Sequence, residues 1–481
     1  MTDATKTGED GTPCGQPAVD SATRRTILLV ASLASFLSAF MGSSVTVALP
    51  TIGNEFHTSA VAMGWITTAY LLAAAVGLVP FGRLADLHGR RRVFTLGFCV
   101  YLLAAIACAF APTNASLIAF RIIQGLGAAM VFSTSAALVS SAFPPETRGH
   151  ALGWNVAAVY TGLSAGPFLG GILTEQLGWR SLFLVNVPLG FVILALVFWR
   201  MRIEWAEFRG ARFDLLGSLV YSVGIVALTV GFSVLPATYG FALLVVGTAA
   251  LIGFGLHQWR VESPLLDLRL FHGNRALLFS NLAALVNYAA TAAVAFLLSL
   301  YLQVNRGLSP EAAGLVLVAQ PVLQTIFSPL AGRLSDRIQP RFIASLGMAM
   351  TTLGLALLTR LGPATPLSLL IATLAWLGLS FALFSSPNTN AVMGSVDARF
   401  YGAVSGTLST MRALGQIASM GIAMLLLSLF IGDTAITTQN ASRFLTAARV
   451  GFALFAALCA LGTVASVARG NVRQRTTAGD G

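Results

Sequence analysis

The chain has 481 residues, 56% of them hydrophobic and only 10% charged, a composition that excludes a soluble domain and supplies apolar runs of about 20 residues, long enough to cross a hydrocarbon core. Its formal charge of +11 would point a soluble protein toward nucleic acid or acidic surfaces, but here the basic residues fall in short loops between apolar runs, so the charge reads as membrane topology and nucleic acid is not a partner. The four cysteines, Cys14, Cys99, Cys108 and Cys459, are scattered and indicate neither a disulfide framework nor a metal site, and no cofactor is expected.

Residues 1–23, rich in Thr, Gly, Asp and Pro, lack the apolar core of a secretory signal and read as a disordered tail before an uncleaved first helix. Hydropathy then predicts spans at 26–50, 61–83, 92–111, 115–142, 149–175, 181–201, 213–235, 238–259, 274–303, 310–332, 341–361, 365–393, 401–430 and 444–468. Threading these fourteen helices through a bilayer puts most arginines, from Arg24 and Arg25 through Arg90, Arg148, Arg200 and Arg333 to Arg475, on one side. Only Arg180, Arg306, Arg360, Arg443 and Arg449 fall on the other, so the first side and both termini are predicted to face the cytoplasm, in the plasma (inner) membrane.

Between the second and third spans runs Gly82-Arg83-Leu84-Ala85-Asp86-Leu87-His88-Gly89-Arg90-Arg91-Arg92, and it returns as Gly332-Arg333-Leu334-Ser335-Asp336-Arg337. The displacement, about 250 residues, exceeds six spans and their loops, which marks a duplication with an insertion. The predicted organisation is a six-helix bundle at 24–201, linkers plus two extra helices at 202–273, a second six-helix bundle at 274–469 and a tail at 470–481: an all-α polytopic protein arranged six plus two plus six. Such repeats place a binding site near the bilayer midplane, where the halves meet and rock.

Four signatures carry a family resemblance. They are Gly82, Leu84, Asp86, Gly89, Arg90 and Arg91 in the hairpin; Leu117, Arg121, Gln124, Gly125, Gly127 and Ala128 in the fourth span; Gly162, Gly166, Pro167, Gly170 and Gly171 in the fifth; and Trp179, Arg180, Phe183, Asn186, Pro188 and Gly190 at the sixth. In this order and spacing the chain resembles the fourteen-helix drug:proton antiporter branch of the major facilitator superfamily, from about residue 24 to 470. The resemblance implies the major facilitator fold and proton-coupled export of small amphipathic compounds by alternating access. It further implies that Gly82, Arg83, Asp86, Gly89, Arg90 and Arg91, echoed by Gly332 and Asp336, form a latch on the cytoplasmic side; simple positive-inside anchoring remains the alternative. By the same resemblance, the fifth-span signature accompanies export rather than import.

An arginine inside an apolar helix is costly enough to face the interior and seek a partner. Arg121 is therefore a functional candidate, for which the resemblance implies a role with Gln124 in proton coupling or substrate contact, against a structural strut; Arg412 is a second such candidate, against snorkelling to the interface. Pro167, among small residues, bends the fifth span and suits it to sealing one half-channel. The acids and histidines all fall at helix ends, in loops or in tails, which leaves no mid-span proton carrier. Many members of this branch carry an aspartate nine residues before the proline of Ala48-Leu49-Pro50; here that position is Met41, which shifts the expected cargo from cations toward neutral, zwitterionic or anionic amphiphiles.

Polar and aromatic side chains inside spans give a candidate cavity: Tyr70, Asn155, Tyr160, Asn287, Tyr288, Gln320, Gln324, Asn388, Asn390 and Gln416, with Trp65 and Trp154 nearby. The expected partners are a small amphipathic substrate, the lipid bilayer and, by the resemblance, protons, with the protein expected to act as a monomer. An uncoupled facilitator, an importer or a non-transporting sensor are the competing readings. No metal-ligand cluster or Ser-His-Asp or Cys-His set can be assembled, so the chain is not read as an enzyme.

Overall fold

A computed structural model of the chain describes residues 20–206, 213–235, 237–261, 263–266, 268–396, 401–432, 434, 436–437 and 439–469, the side chains of 145, 146, 336 and 401–403 excepted. The expected tails at 1–23 and 470–481 lie almost wholly outside that set, as does the side chain of Asp336. Among the described residues fourteen helices are long and apolar enough to span a membrane: α1 Ser21–Phe56, α2 Ala60–His88, α3 Arg90–Ala109, α4 Asn114–Ala142, α5 Thr147–Leu177, α6 Arg180–Arg200, α7 Leu215–Val234, α8 Thr238–Arg260, α9 Arg275–Asn305, α10 Pro310–Ser335, α11 Pro340–Leu358, α12 Leu367–Met393, α13 Val404–Phe430 and α14 Ala441–Val467. The end of the bundle that carries the Gly82–Arg92 hairpin is called here the basic end, and the opposite one the far end.

Several helices run past their apolar cores because polar caps hold the outer turns. Asp20 accepts the Thr23 N–H at the start of α1, Ser59 accepts the Ala62 N–H at α2, and Thr113 with Ser116 forms a capping box at α4. Others break. The α-helical hydrogen bonding of α9 is interrupted at Ala292 and Ala293 and gives way to a π-helical turn at Tyr301–Asn305. The Ala293 N–H is satisfied by Ser419 Oγ of α13 at 3.0 Å, as irregular backbone buried in the protein at membrane depth requires.

In the first half α1 packs along α5, and α4 against α2 and α3; in the second, α9 packs on α13 and α14, and α12 on α10 and α11. Small residues set these approaches. A Cβ at Gly125 would strike the Tyr70 carbonyl of α2, and one at Gly127 would strike the backbone of Tyr101 in α3, so the glycines of α4 permit backbone contact on two sides. The inserted helices pack on each other, and α7 lies against both α2 and α13. There Tyr221 Oη donates to the Ala75 carbonyl at 3.0 Å and Phe232 fills the space over Gly421. The insertion is thus seated on a seam between the halves. Large apolar side chains such as Phe110, Trp199 and Val245 remain exposed on the outside, as a lipid-facing surface requires.

Candidate functional site

At the far end the two halves meet on the glycines of α5. Gly162, Gly166 and Gly170 lie on one face, four residues apart, and each would clash with α1 if it carried a Cβ: with Phe36, Ser43 and Ser44 respectively. Gly171 faces the other way, onto the Pro310 carbonyl of α10, and Gly314 of α10 meets the Pro167 carbonyl in return. Neither crossing tolerates a side chain. Glu175 Oε2 accepts the Glu311 N–H at 3.0 Å, placing a carboxylate on the N-terminus of α10, where the helix dipole favours it. The Ala60 N–H donates to the Thr434 carbonyl and Gln303 Nε2 to the Val47 carbonyl at 2.8 Å, also across the halves at this end.

The predicted latch lies at the basic end. Asp86 Oδ1 accepts from Arg90 Nε at 3.0 Å and Nη2 at 2.8 Å, and Arg90 Nη1 reaches Ser141 of α4. Gly89, at φ 118°, occupies a backbone region that side chains rarely adopt, and a Cβ there would run into Glu204. Glu204, in the stretch after α6, accepts the Arg91 N–H at 2.9 Å and lies 3.8 Å from Arg92 Nε, while the Trp205 carbonyl accepts the Arg90 N–H at 2.9 Å. The clamp on the hairpin therefore comes from the linker to the inserted helices. Sequence reasoning missed it, since an isolated Glu-Trp in a linker carries no periodic signal. In the second hairpin Gly332 faces Ser386, and Asn390 donates to Ser335 Oγ at 2.5 Å, which turns Asn390 toward that hairpin.

Arg121 is fully buried. Its Nε donates to the Ile66 carbonyl at 3.1 Å, its Nη1 to Gln124 Oε1 at 2.7 Å, and its Cζ stands 4.2 Å from the Tyr70 ring centroid. Tyr70 in turn donates to the Ser38 carbonyl at 3.3 Å, so the predicted residues Tyr70, Arg121 and Gln124 form one knot inside the first half. Met41 is also buried there, its Sδ 3.1 Å from Asn186 Nδ2, so position 41 faces α6.

A second constellation joins the halves deeper in the bundle. Tyr160 Oη of α5 and Ser385 Oγ of α12 are 3.0 Å apart, and Ser164 Oγ lies 2.9 Å from Thr325 Oγ1 of α10. One turn from Ser385, Thr389 Oγ1 accepts from Arg412 Nη2 at 2.7 Å; the Arg412 Cζ lies 5.7 Å from the Tyr288 ring centroid, and Tyr288 meets Phe381 edge-on at 5.2 Å. The structure thus gathers Tyr160, Tyr288 and Arg412 with Ser385, Thr389 and Phe381, which sequence reasoning passed over. The polar run Ser385-Ser386-Pro387-Asn388-Thr389-Asn390 within an apolar span was the available signal.

The remaining cavity candidates scatter. Asn287 is fully buried beside Cys459 of α14, Asn388 Nδ2 donates to the Ser280 carbonyl of α9 at 3.2 Å, Asn155 and Gln324 are buried in α5 and α10, and Gln320 and Gln416 are half-buried. Trp65 lies against the Tyr221 cluster under the inserted helices, and Trp154 is exposed, donating to His150. Among the described residues no group of acids, histidines and cysteines could hold a metal ion.

The sequence pattern of the Major Facilitator Superfamily matches residues 31–255 and 281–478. The riboflavin transporter RibZ of Clostridioides difficile is 30% identical over 448 residues, covering 92% of this chain and 96% of its own. The multidrug resistance protein Stp of Mycobacterium tuberculosis is 35% identical over 411 residues, covering 84% of this chain and 75% of its own. Among solved structures, a bacterial homologue of the human lysosomal transporter Spinster, captured inward-facing and unoccupied, superposes with a TM-score of 0.66 at 16% identity, covering 94% of this chain and 97% of the other.

Proposed function

The chain belongs to the major facilitator superfamily of membrane transporters, and from that premise we propose that it exports small amphipathic compounds from the cytoplasm by alternating access, in exchange for protons. The observation that carries this reading is the glycine seam of α5 and α10. It closes the far end by backbone contact between the halves, at the signature that resembles the antiporters of this family. With the arginine-rich end in the cytoplasm, the closed end faces outward and the polar cluster of Tyr160, Ser385 and Arg412 lies on the inward side of that seal.

In this reading the Asp86–Arg90 pair, held by Glu204, is the latch that reforms and breaks through the cycle, and the protein works as a monomer. Multidrug resistance is the name of one relative and riboflavin transport that of another, which supports an organic, amphipathic cargo rather than an inorganic ion. Uncoupled transport is the second reading, favoured by one observation: no acid or histidine side chain described lies in the middle of a span.

Everted membrane vesicles energised by respiration test the first reading. Overexpression should raise uptake of an amphipathic dye from the panel fluorescein, Nile red and rhodamine 6G, and collapsing the pH gradient and potential together should abolish it. Uptake that persists without either gradient supports the uncoupled reading, and no dye uptake above empty vesicles contradicts export of amphiphiles.

A further inference from the structure

Arg412 stands about 16 Å along its helix from Tyr401, at 1.5 Å per residue, well inside the bundle. Its bonds do not fill its donor set. One nitrogen is spent on the neutral Thr389 hydroxyl, and Nε is buried with no hydrogen-bond partner. No carboxylate pairs with it among the described residues; Glu55, Asp86, Glu175, Glu204, Asp214 and Glu311 all sit at helix ends or in connections. A guanidinium inside an apolar bundle without a countercharge is strongly disfavoured, and a bound anion would remove that penalty.

The surroundings specify the rest of the ligand. Tyr288 and Phe381 form an edge-on aromatic pair beside the cation, and the Tyr160 and Ser385 hydroxyls, one from each half, lie one turn away. This is apolar, aromatic surface next to a single fixed positive charge, with two hydroxyls spanning the interface that must open and close. We propose that Arg412 is the anion-recognition group of the transport site, and that the cargo is an amphipathic organic anion: a flat apolar body bearing a carboxylate or another compact anionic group. This rests on the transporter reading above and narrows its substrate class.

The same cation repels positively charged drugs, so the site discriminates by charge as well as by shape. An interior-negative membrane potential also drives an exported anion outward. A carrier of anions therefore has less need of a mid-span carboxylate than a carrier of cations.

Binding to the purified full-length protein in nanodiscs, read by fluorescence and by ligand-dependent thermal shift, tests this with three probes: fluorescein as anion, Nile red as neutral amphiphile and rhodamine 6G as cation. Wild type should prefer fluorescein. Arg412→Gln should weaken fluorescein about 10- to 100-fold, the range for losing a charge-assisted hydrogen bond, and leave Nile red unchanged, while Arg412→Lys should retain part of the fluorescein affinity. Unchanged fluorescein affinity in Arg412→Gln, equal loss of Nile red, or a wild type that prefers rhodamine 6G would overturn the assignment. Energised vesicle uptake of rhodamine 6G alone would sink the anion class and leave export standing. If no probe binds or is transported, the amphiphile reading fails and takes this one with it.

Discussion

Arg121 and Arg412 both lie within membrane-spanning helices, and their surroundings differ. Arg121 is fully buried within its own half: the Ile66 carbonyl, the Gln124 side chain and the Tyr70 ring approach it from α2 and α4, and its Nη2 is buried with no hydrogen-bond partner. Arg412 is half-buried between α9, α12 and α13, with one hydroxyl partner, one aromatic neighbour and one idle buried nitrogen. The same residue type thus serves two ends. Where two acceptors and a ring enclose the guanidinium within one half it ties helices together, and where a single hydroxyl holds a half-buried guanidinium it is open to a ligand.

The largest expected effect is at the sealed site. Arg121→Met leaves the Ile66 carbonyl and Gln124 buried without their donor, each costing about 1–3 kcal/mol, so the protein should lose thermal stability and expression before it loses specific activity. A stable Arg121→Met variant that binds dyes normally but no longer transports would break the comparison, because it would make Arg121 functional rather than a strut. Arg412→Met should do the reverse, with thermal stability little changed and anion affinity lost.

Tyr288→Leu sharpens the contrast at smaller amplitude. Removing the ring beside Arg412 takes away an aromatic face for the dye and should weaken fluorescein several-fold, in line with about 0.5–1.5 kcal/mol for an aromatic pair, while loss of the Arg412 contact lowers the unliganded melting temperature slightly. Further from both arginines, Gly89→Ala forces a side chain into a φ of 118° and against Glu204, and should slow turnover with dye binding intact.

The smallest effect belongs to the inserted helices. Burial pushes the Asp214 carboxyl up, but hydrogen bonds from His257, the Gly217 N–H and Gln258 outweigh it and hold it below its ordinary value of 3.8. The folded-state value being depressed, this clamp contributes stability above that value and loses it as pH falls through the lower folded one. Asp214→Asn should lower the melting temperature slightly at neutral pH, with the difference vanishing in strong acid.

Much of the fold was legible because lipid imposes a simple rule: every span needs about 20 apolar residues, so fourteen helices and the duplicated hairpin stand out in composition alone. Their ends were less so. α1 begins at Ser21 and runs to Phe56, past the predicted 26–50, because Asp20 caps one end and Pro50 is tolerated within it. The break in α9 at Ala292 left no trace, since Ala-rich sequence favours helix and only Ser419 on another span explains the departure.

The site was legible by residue type and not by direction. Apolar composition on all faces of a span hides its rotation, which packing sets. So Asn287 and Tyr288 were read alike as cavity residues, yet Asn287 turns to α14 and Tyr288 to Arg412, and Met41, at the position of the branch's aspartate, turns to Asn186 of α6. Ser385 and Thr389 escaped notice because helical hydroxyls commonly bond their own backbone, as Thr389 does to the Ser385 carbonyl.

The direct test of the central claim is the charge selectivity of transport in proteoliposomes, measured as the ratio of fluorescein to rhodamine 6G flux under an imposed proton gradient and potential, the latter worth about 2.3 kcal/mol per charge at 100 mV. The account predicts a ratio well above one for wild type that falls toward one in Arg412→Gln while Nile red flux persists. A ratio below one in wild type, or one that the substitution does not move, would contradict it.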